Sequence, residues 1–171
     1  CIRDRPRIAQ DFAKRHGKIA GGALGVVALG KLGGREMLPA SDLDLVLVYD
    51  HAEDAADSAG GAKALPPAVY FGRLANQVVG ALTTPGAEGR LYDVDMRLRP
   101  SGRQGPVATS FKGFCDYQDT EAWTWEHLAL SRARPVAGEA AVAADVESFR
   151  QELLREKAAG VQVRQDVAEM R

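Results

Sequence analysis

Ser41-Asp42-Leu43-Asp44-Leu45-Val46 is the stretch of this chain that decides its fold. Its apolar residues predict a β-strand from Leu43 to Tyr49, with Asp42 and Asp44 on one face because side chains alternate along a strand. Two carboxylates about 4 Å apart repel by about 4 kcal/mol at an effective dielectric constant of about 20. A fold that keeps such a pair together shifts a pKa or supplies a cation, so the stretch predicts a metal site. An exposed strand start that happens to carry two acids is the structural alternative.

A second acidic stretch, Val94-Asp95-Met96-Arg97-Leu98-Arg99, has the same alternation. It predicts a strand over 91–98 that places Asp93, Asp95, Arg97 and Arg99 on one face and apolar side chains on the other. Asp95 would then complete a site of three carboxylates, and the two guanidinium groups would bind the oxygens of a triphosphate. A ladder of salt bridges between neighbouring strands is the alternative.

The glycine-rich stretch Gly30-Lys31-Leu32-Gly33-Gly34 follows an apolar run, Ala23–Leu29, that predicts a strand buried on both faces. Backbone N–H groups in such a turn can surround a phosphate, although the spacing matches neither GxxxxGK[ST] nor GxGxxG. A plain tight turn explains the glycines equally well. Ser41 could donate its hydroxyl to a phosphate or cap the local backbone, and Lys31 could bind a phosphate or remain solvated.

Apolar periodicity predicts the helices. They cover 4–16, a segment opened by Pro66 and Pro67, a segment that begins after the N-cap Ser110, residues 121–133, and a segment that begins near Val142. Residues 51–65 have no apolar period and predict a mobile surface loop. Within 121–133 we expect at least one of Trp123 and Trp125 in the core, and a structural role for Glu126.

Composition narrows the class of protein. The chain has 171 residues, of which 46% are hydrophobic, and a net charge of −1, so we expect one globular, soluble domain without the basic surface of a nucleic-acid-binding protein. Cys1 and Cys115 form neither a zinc-ligand nor a disulfide pattern. No run is apolar enough for a membrane span or a signal peptide, which makes the cytoplasm the expected compartment.

Three longer segments resemble one known family. They are GKLGGREMLPASDLDLVLVYD at 30–50, YDVDMRLRPSGRQGPVATSF at 92–111 and EAWTWEHLALSRARPVAG at 121–138. Together they resemble glutamine synthetase adenylyltransferase, a member of the nucleotidyltransferase superfamily of DNA polymerase β, over roughly 24–140. The resemblance implies a mixed α/β (α+β) nucleotidyltransferase fold, in which a small mixed or antiparallel sheet is flanked by helices. It implies a catalytic domain at 1–140, with 141–171 as the truncated start of a helical region.

The resemblance also implies roles for individual residues. Asp42 and Asp44 match the family's pair of acids that bind two Mg²⁺ ions, and Asp95 matches the third acid, which would help to deprotonate the attacking tyrosine. Gly30 and Ser41 match loop positions that face the phosphates of ATP. The candidate ATP-binding residues are therefore Gly30, Lys31, Gly33, Gly34, Ser41, Arg97 and Arg99, and the candidate catalytic and metal-binding residues are Asp42, Asp44 and Asp95.

Members of this family carry two such domains. The N-terminal domain removes AMP from glutamine synthetase by phosphorolysis, and the C-terminal domain attaches AMP from ATP to a tyrosine of the same enzyme. The segment at 121–138 resembles the C-terminal domain more, so we predict adenylylation of glutamine synthetase, with the PII signal protein and glutamine as regulators of the full-length enzyme. Removal of AMP and a non-catalytic nucleotide-binding module are the alternatives.

Overall fold

A five-stranded mixed sheet lies at the centre of the protein. The computed structural model describes residues 5–85, 89, 92–158 and 162–169. The strands are β1 Ala23–Ala28, β2 Leu43–Asp50, β3 Val94–Asp95, β4 Ala108–Ser110 and β5 Arg134–Gly138. The helices are α1 Arg5–His16, α2 Gly30–Gly33, α3 Pro67–Thr83, α4 Phe111–Thr120, α5 Thr124–Leu130, α6 Ala140–Ala158 and α7 Gln162–Glu169. The predicted mixed α/β fold with a small, helix-flanked sheet is confirmed.

Strand β2 is the centre of the sheet. It runs antiparallel to β1, with Val26 opposite Leu47, and β1 in turn pairs antiparallel with β5. On its other edge β2 runs parallel to β3 at its beginning and to β4 near its end. On this edge, β2 therefore has β3 beside its first residues and β4 beside its later residues. The acidic start of the strand lies next to β3.

Helices cover both faces of the sheet. Leu47 and Tyr49 of β2 belong to a core cluster with Phe12 of α1 and Phe71 of α3. The alternate residues of β2, among them Val48, pack instead against side chains from α4, α5 and α6. Burial on both faces explains why β1 and β2 are almost wholly apolar, as the sequence predicts.

Helices α1, α3, α4 and α6 confirm the corresponding predictions. Ser110 caps α4, since its hydroxyl oxygen accepts a hydrogen bond from the Gly113 N–H at 3.1 Å. In α6 the predicted apolar residues Val142, Val146 and Leu153 are buried against β1, β5 and α4. The division of the chain at residue 140 stays a prediction.

The predicted strand over 91–98 is wrong for most of its length. Residue 91 lies outside the described part of the chain, and only Val94–Asp95 forms a strand. The chain turns soon after Asp95, where the Arg99 N–H donates to the Met96 carbonyl oxygen at 3.2 Å, and Ser101 and Gly102 follow with positive φ angles of 59° and 54°. Arg97 and Arg99 therefore lie in a turn, and the shared strand face that the sequence predicts does not form.

Two further predictions are changed by packing. Residues 30–33 form the short helix α2 instead of a plain turn. Residues 51–65 do form a loop, but Ser58 and Leu65 within it are buried, and the Leu65 N–H donates to the Ser58 hydroxyl at 3.0 Å.

The helix predicted over 121–133 is shorter, and its tryptophans are not in the core. Trp123 precedes α5 and is 73% exposed, while Trp125 within it is 46% exposed. Leu130 is the α5 side chain that enters the core, so the expectation that a tryptophan does so is wrong. Glu126 is buried and hydrogen-bonded, which confirms its structural role.

We find no helix, in the part of the chain that the structure describes, with the length and apolar character needed to cross a bilayer.

Gly138 provides a test of the pairing between β1 and β5. Its φ angle is +124°, and a Cβ atom there would lie 2.6 Å from the Gly25 Cα atom of the neighbouring strand. Because both the backbone angle and the close approach exclude a side chain, we expect Gly138→Ala to lower the free energy of unfolding by about 1–3 kcal/mol. Urea unfolding followed by circular dichroism measures this change.

Gly72→Ala is the matched control. Gly72 lies inside α3 with open space around its Cα atom. The substitution should therefore raise stability by about 0.5–1 kcal/mol, because alanine favours a helix more than glycine does. Equal effects of the two substitutions would contradict this strand pairing.

Candidate active site

Asp44 lies where β1 ends and β2 begins. The Leu29 N–H donates to the Asp44 carbonyl oxygen at 2.9 Å, which places the end of β1 beside this residue. Gly30 follows with a φ angle of +50°, and its Cα atom lies so close to the Asp44 carboxylate that a Cβ atom would collide with it. A glycine at position 30 is therefore required for the position of Asp44.

The three predicted acids come from two adjacent strands. Asp44 of β2 lies directly opposite Asp95 of β3 in the parallel register, and Asp42 immediately precedes β2. Burial raises the pKa of Asp44, and the negative charges of Asp95 and Asp42 raise this pKa further. The structure thus places the three carboxylates in one electrostatic neighbourhood, at the start of β2.

Arg97 holds the Asp95 carboxylate. Its backbone N–H donates to Asp95 Oδ1 at 2.8 Å, and its Nε donates to Oδ2 at 2.7 Å. Its Nη2 also lies 2.5 Å from Oδ2. These hydrogen bonds hold the pKa of Asp95 below its ordinary value. Both oxygens of Asp95 therefore accept hydrogen bonds from a single neighbouring residue.

Within the described ranges, no three His, Cys, Asp or Glu side chains lie close enough together to hold a metal ion in their present positions.

Arg99, the other predicted phosphate ligand, donates to three carbonyl oxygens, those of Met96 at 2.9 Å, Arg103 at 3.1 Å and Gly105 at 3.2 Å. Its guanidinium group therefore stabilises the turn that follows β3.

The other glycines of the α2 segment differ in what packs against them. A Cβ atom on Gly33 would lie 2.7 Å from the Ala28 carbonyl oxygen, and one on Gly34 would lie 2.7 Å from Nη2 of Arg132. Lys31 is exposed, and its charge opposes the rise in the pKa of Asp44. Close packing against backbone atoms is thus sufficient to explain glycine at position 33, whereas at position 34 only the flexible end of the Arg132 side chain is close.

Ser41 is buried, and its hydroxyl oxygen accepts a hydrogen bond from the Leu38 N–H at 3.1 Å. The structure therefore shows the local backbone cap, and donation of the Ser41 hydroxyl to a phosphate stays a prediction.

Residues near position 132 support the site and were missed by sequence reasoning. Arg134 donates to the carbonyl oxygens of Leu32 at 3.1 Å and Gly33 at 3.2 Å, which satisfies the end of α2. Arg132 forms an ion pair with Glu36. About a hundred residues separate these partners in the sequence, so no local pattern links them. For the turn that contains Arg97, a signal was present in the sequence. The stretch Pro100-Ser101-Gly102, which begins three residues later, is typical of a turn.

The family model described as glutamate-ammonia ligase adenylyltransferase matches residues 5–149, which include all of these acids. The chain belongs to this family. The match spans the whole sheet and most of the helices around it, so family membership and the observed fold agree.

Two relatives with high sequence identity share one name with each other. The chain is 48% identical over 164 residues to the bifunctional glutamine synthetase adenylyltransferase/adenylyl-removing enzyme of Rhizobium meliloti (strain 1021), a match that covers 96% of this chain and 16% of that protein. It is 54% identical over 133 residues to the protein of the same name from Xanthobacter autotrophicus, covering 78% of this chain and 13% of that protein. The chain thus corresponds to about a sixth of the length of these relatives.

Asp44→Asn tests whether the acids are held together against their repulsion. The raised pKa means that folding disfavours the charged form of Asp44, so removing the charge should leave the melting temperature unchanged or raise it. Differential scanning calorimetry at pH 7 measures the change. Asp50→Asn, at the other end of the same strand, is the matched control and should have little effect. A marked loss of stability in Asp44→Asn alone would favour a purely structural role for this acid.

Proposed function

We propose that this chain is a nucleotidyltransferase domain that transfers AMP from ATP to a tyrosine of glutamine synthetase. One observation carries the proposal: in a member of this family, Asp44 and Asp95 lie side by side on parallel strands with Asp42 next to them. Acids gathered where two adjacent strands meet are suited to phosphate chemistry that depends on a divalent cation. Since ATP is the proposed substrate, we expect the reaction to take place in the cytoplasm.

The donor chemistry of the three carboxylates suits Mg²⁺, and they would have to move closer together to hold one ion, since in their present positions they form no metal-binding group. Carboxylate oxygens are the protein ligands that Mg²⁺ prefers, and a cation near Asp44 would relieve the repulsion that raises its pKa. We therefore propose Asp42, Asp44 and Asp95 as the residues that hold Mg²⁺. When bound, Mg²⁺ would offset the charge of the triphosphate and help to orient the attacking and leaving oxygens.

Arg97 has a double role in this proposal. Its guanidinium group donates to Oδ2 of Asp95 through Nε and also contacts this oxygen through Nη2, so Oδ2 can bind Mg²⁺ only when the guanidinium group moves away. The displaced guanidinium group can then donate to the phosphates of ATP, which are negatively charged like the carboxylate. We therefore propose that Arg97 exchanges a carboxylate for a phosphate when the nucleotide binds. Gly30, Lys31 and Ser41 remain candidate residues near the phosphates, together with Gly33, Gly34 and Arg99.

The proposed reaction is a displacement at the α-phosphorus of ATP. The tyrosine oxygen forms a bond to that phosphorus, while the bond to the oxygen that bridges to the β-phosphate breaks. Pyrophosphate leaves, and the hydroxyl proton passes to one of the carboxylates. The product carries AMP as a phosphodiester on the tyrosine.

Removal of AMP is the second candidate. The relatives are named for both activities, and the chain covers only part of their length. We favour addition of AMP because residues 121–138 resemble the adenylylating domain of the family. Regulation by glutamine and the PII signal protein is expected, on the same resemblance, of the full-length protein.

A paired assay separates the two directions. The chain is given radiolabelled ATP, Mg²⁺ and unmodified glutamine synthetase in one reaction, and phosphate, Mg²⁺ and AMP-modified glutamine synthetase in the other. We expect transfer of label in the first reaction and its loss in Asp44→Asn and Asp42→Asn, with Asp50→Asn active as the matched control. Release of AMP as ADP in the second reaction alone would assign the opposite direction, and the absence of transfer in both would refute catalysis by this chain.

Arg97→Gln tests the exchange of partners independently of turnover. Without the guanidinium group Asp95 is free to bind a cation, so Mn²⁺ alone, detected by electron paramagnetic resonance, should bind more tightly than to the wild-type chain. The Mg²⁺ complex of ATP should bind more weakly, by about tenfold, which corresponds to about 1.4 kcal/mol for a lost charged hydrogen bond.

Arg103→Gln is the control for this experiment. Arg103 acts on Asp95 through its charge, so its loss removes the same charge and leaves the Arg97 hydrogen bonds in place. Equal gains in Mn²⁺ affinity in the two variants would show that charge alone is responsible. Weaker Mn²⁺ binding in Arg97→Gln would contradict the proposed exchange.

A further inference from the structure

An aromatic surface adjoins the candidate active site and has no role in the chemistry proposed above. It consists of Trp123, which is 73% exposed, Trp125, which is 46% exposed, and Leu128, which is 43% exposed. Trp125 and Leu128 are three residues apart in α5 and so lie on one side of this helix. Single exposed apolar side chains are common on proteins, whereas a group of large ones marks a contact surface. We refer to these three residues as the tryptophan surface.

Trp123 is held in its exposed position by buried polar contacts. Glu126 is only 7% exposed, and its Oε2 accepts a hydrogen bond from the Trp123 backbone N–H at 2.9 Å. Its other oxygen, Oε1, accepts from the Tyr117 hydroxyl at 2.9 Å. A buried carboxylate requires such partners, so the fold uses Glu126 to fix the backbone that presents the indole ring to solvent.

The tryptophan surface is continuous with the candidate active site. Trp123 and Trp125 line a cavity of about 450 Å³ that Arg97 also lines. Arg97 in turn contacts Asp95, which lies opposite Asp44. A group that enters along the indole rings therefore meets Arg97, the residue that holds the Asp95 carboxylate.

The position of this cavity beside Arg97 favours a protein segment with a reactive hydroxyl group as the partner that binds there. A hydroxyl group on a protein has to approach the acids closely, so the surface that surrounds the acids must contact the segment that carries the hydroxyl. Aromatic side chains such as tryptophan are enriched among the residues that contribute most to protein–protein binding. The rings also line a second cavity, which does not include Arg97 and has carboxylates at Glu121 and Glu169. This border favours a partner that carries basic residues beside its apolar contact.

We propose that the tryptophan surface binds the acceptor segment of glutamine synthetase and directs its tyrosine towards Asp44 and Asp95. The segment has apolar side chains that cover Trp123 and Trp125, and basic residues that face Glu121 and Glu169. This inference rests on the proposed function for the identity of the partner. It adds the surface that recognises the protein, as distinct from the residues that bind ATP.

Trp123→Ala and Trp125→Ala test this surface, and Val69→Ala is the matched control. Val69 is 40% exposed and lies on α3, on the opposite side of the sheet from α5. We expect each tryptophan variant to weaken binding of glutamine synthetase to the immobilised chain by about tenfold or more. The same variants should raise KM for glutamine synthetase, with kcat and the Kd of ATP–Mg²⁺ within twofold of the wild type. Trp123→Phe should restore part of the affinity, and Val69→Ala should bind normally.

Each other outcome overturns this inference. Binding of glutamine synthetase within twofold of the wild type in both tryptophan variants would show that the surface has another role. A fall in melting temperature as large as that of a core truncation would show that the indole rings pack within the protein. An equal loss of affinity in Val69→Ala would show that the effect is not specific to this surface.

The result remains distinct from that of the proposed function. If the wild-type chain binds glutamine synthetase through its tryptophans but transfers AMP in neither direction, catalysis fails and the docking surface stands. If the chain transfers AMP and the tryptophan variants have an unchanged KM for glutamine synthetase, the docking surface fails and catalysis stands.

Discussion

The antiparallel pairing of β1 with β2 is the constraint on which the rest of the structure depends. It brings the end of one buried strand beside the beginning of the other, where the Leu29 N–H donates to the Asp44 carbonyl oxygen. The pairing leaves both faces of the two strands to be covered by helices, and it leaves the free edge of β2 to β3 and β4. The position of Asp44, its contact with Gly30 and its alignment with Asp95 all follow from this one pairing.

The electrostatics of the site follow from the same geometry. Parallel pairing with β3 places Asp95 opposite Asp44, and the repulsion between these acids is partly offset by Arg97. The arginine is available because the chain turns directly after Asp95, so that a side chain two residues further on folds back onto the carboxylate. The turn also lets the Arg97 backbone N–H donate to the other carboxylate oxygen, Oδ1. The early end of β3 therefore allows Arg97 to contact both oxygens of Asp95.

Recognition of a protein substrate places different demands on the surface than catalysis does. The acids need a rigid strand end, whereas a docking surface needs large exposed side chains held in a defined position. In this protein the buried Glu126 holds the exposed side chain in position, because it accepts hydrogen bonds from the Trp123 backbone N–H and the Tyr117 hydroxyl. The tryptophans thus lie beside the candidate active site and outside the core.

The sequence by itself determined the buried strands β1 and β2, helices α1, α3, α4 and α6, the cap at Ser110 and the family, because these depend on local periodicity and on long continuous motifs. Tertiary structure alone decided where β3 ends, which partner Arg97 has, that Arg134 caps α2, and that the tryptophans face solvent. Alternation of apolar and polar residues does not state where a strand stops pairing, since the pairing depends on a neighbour that is distant in the chain. In the same way, an aromatic residue on a short helix is buried only if another element covers it, and in the described part of this chain α5 places Leu130 in the core instead.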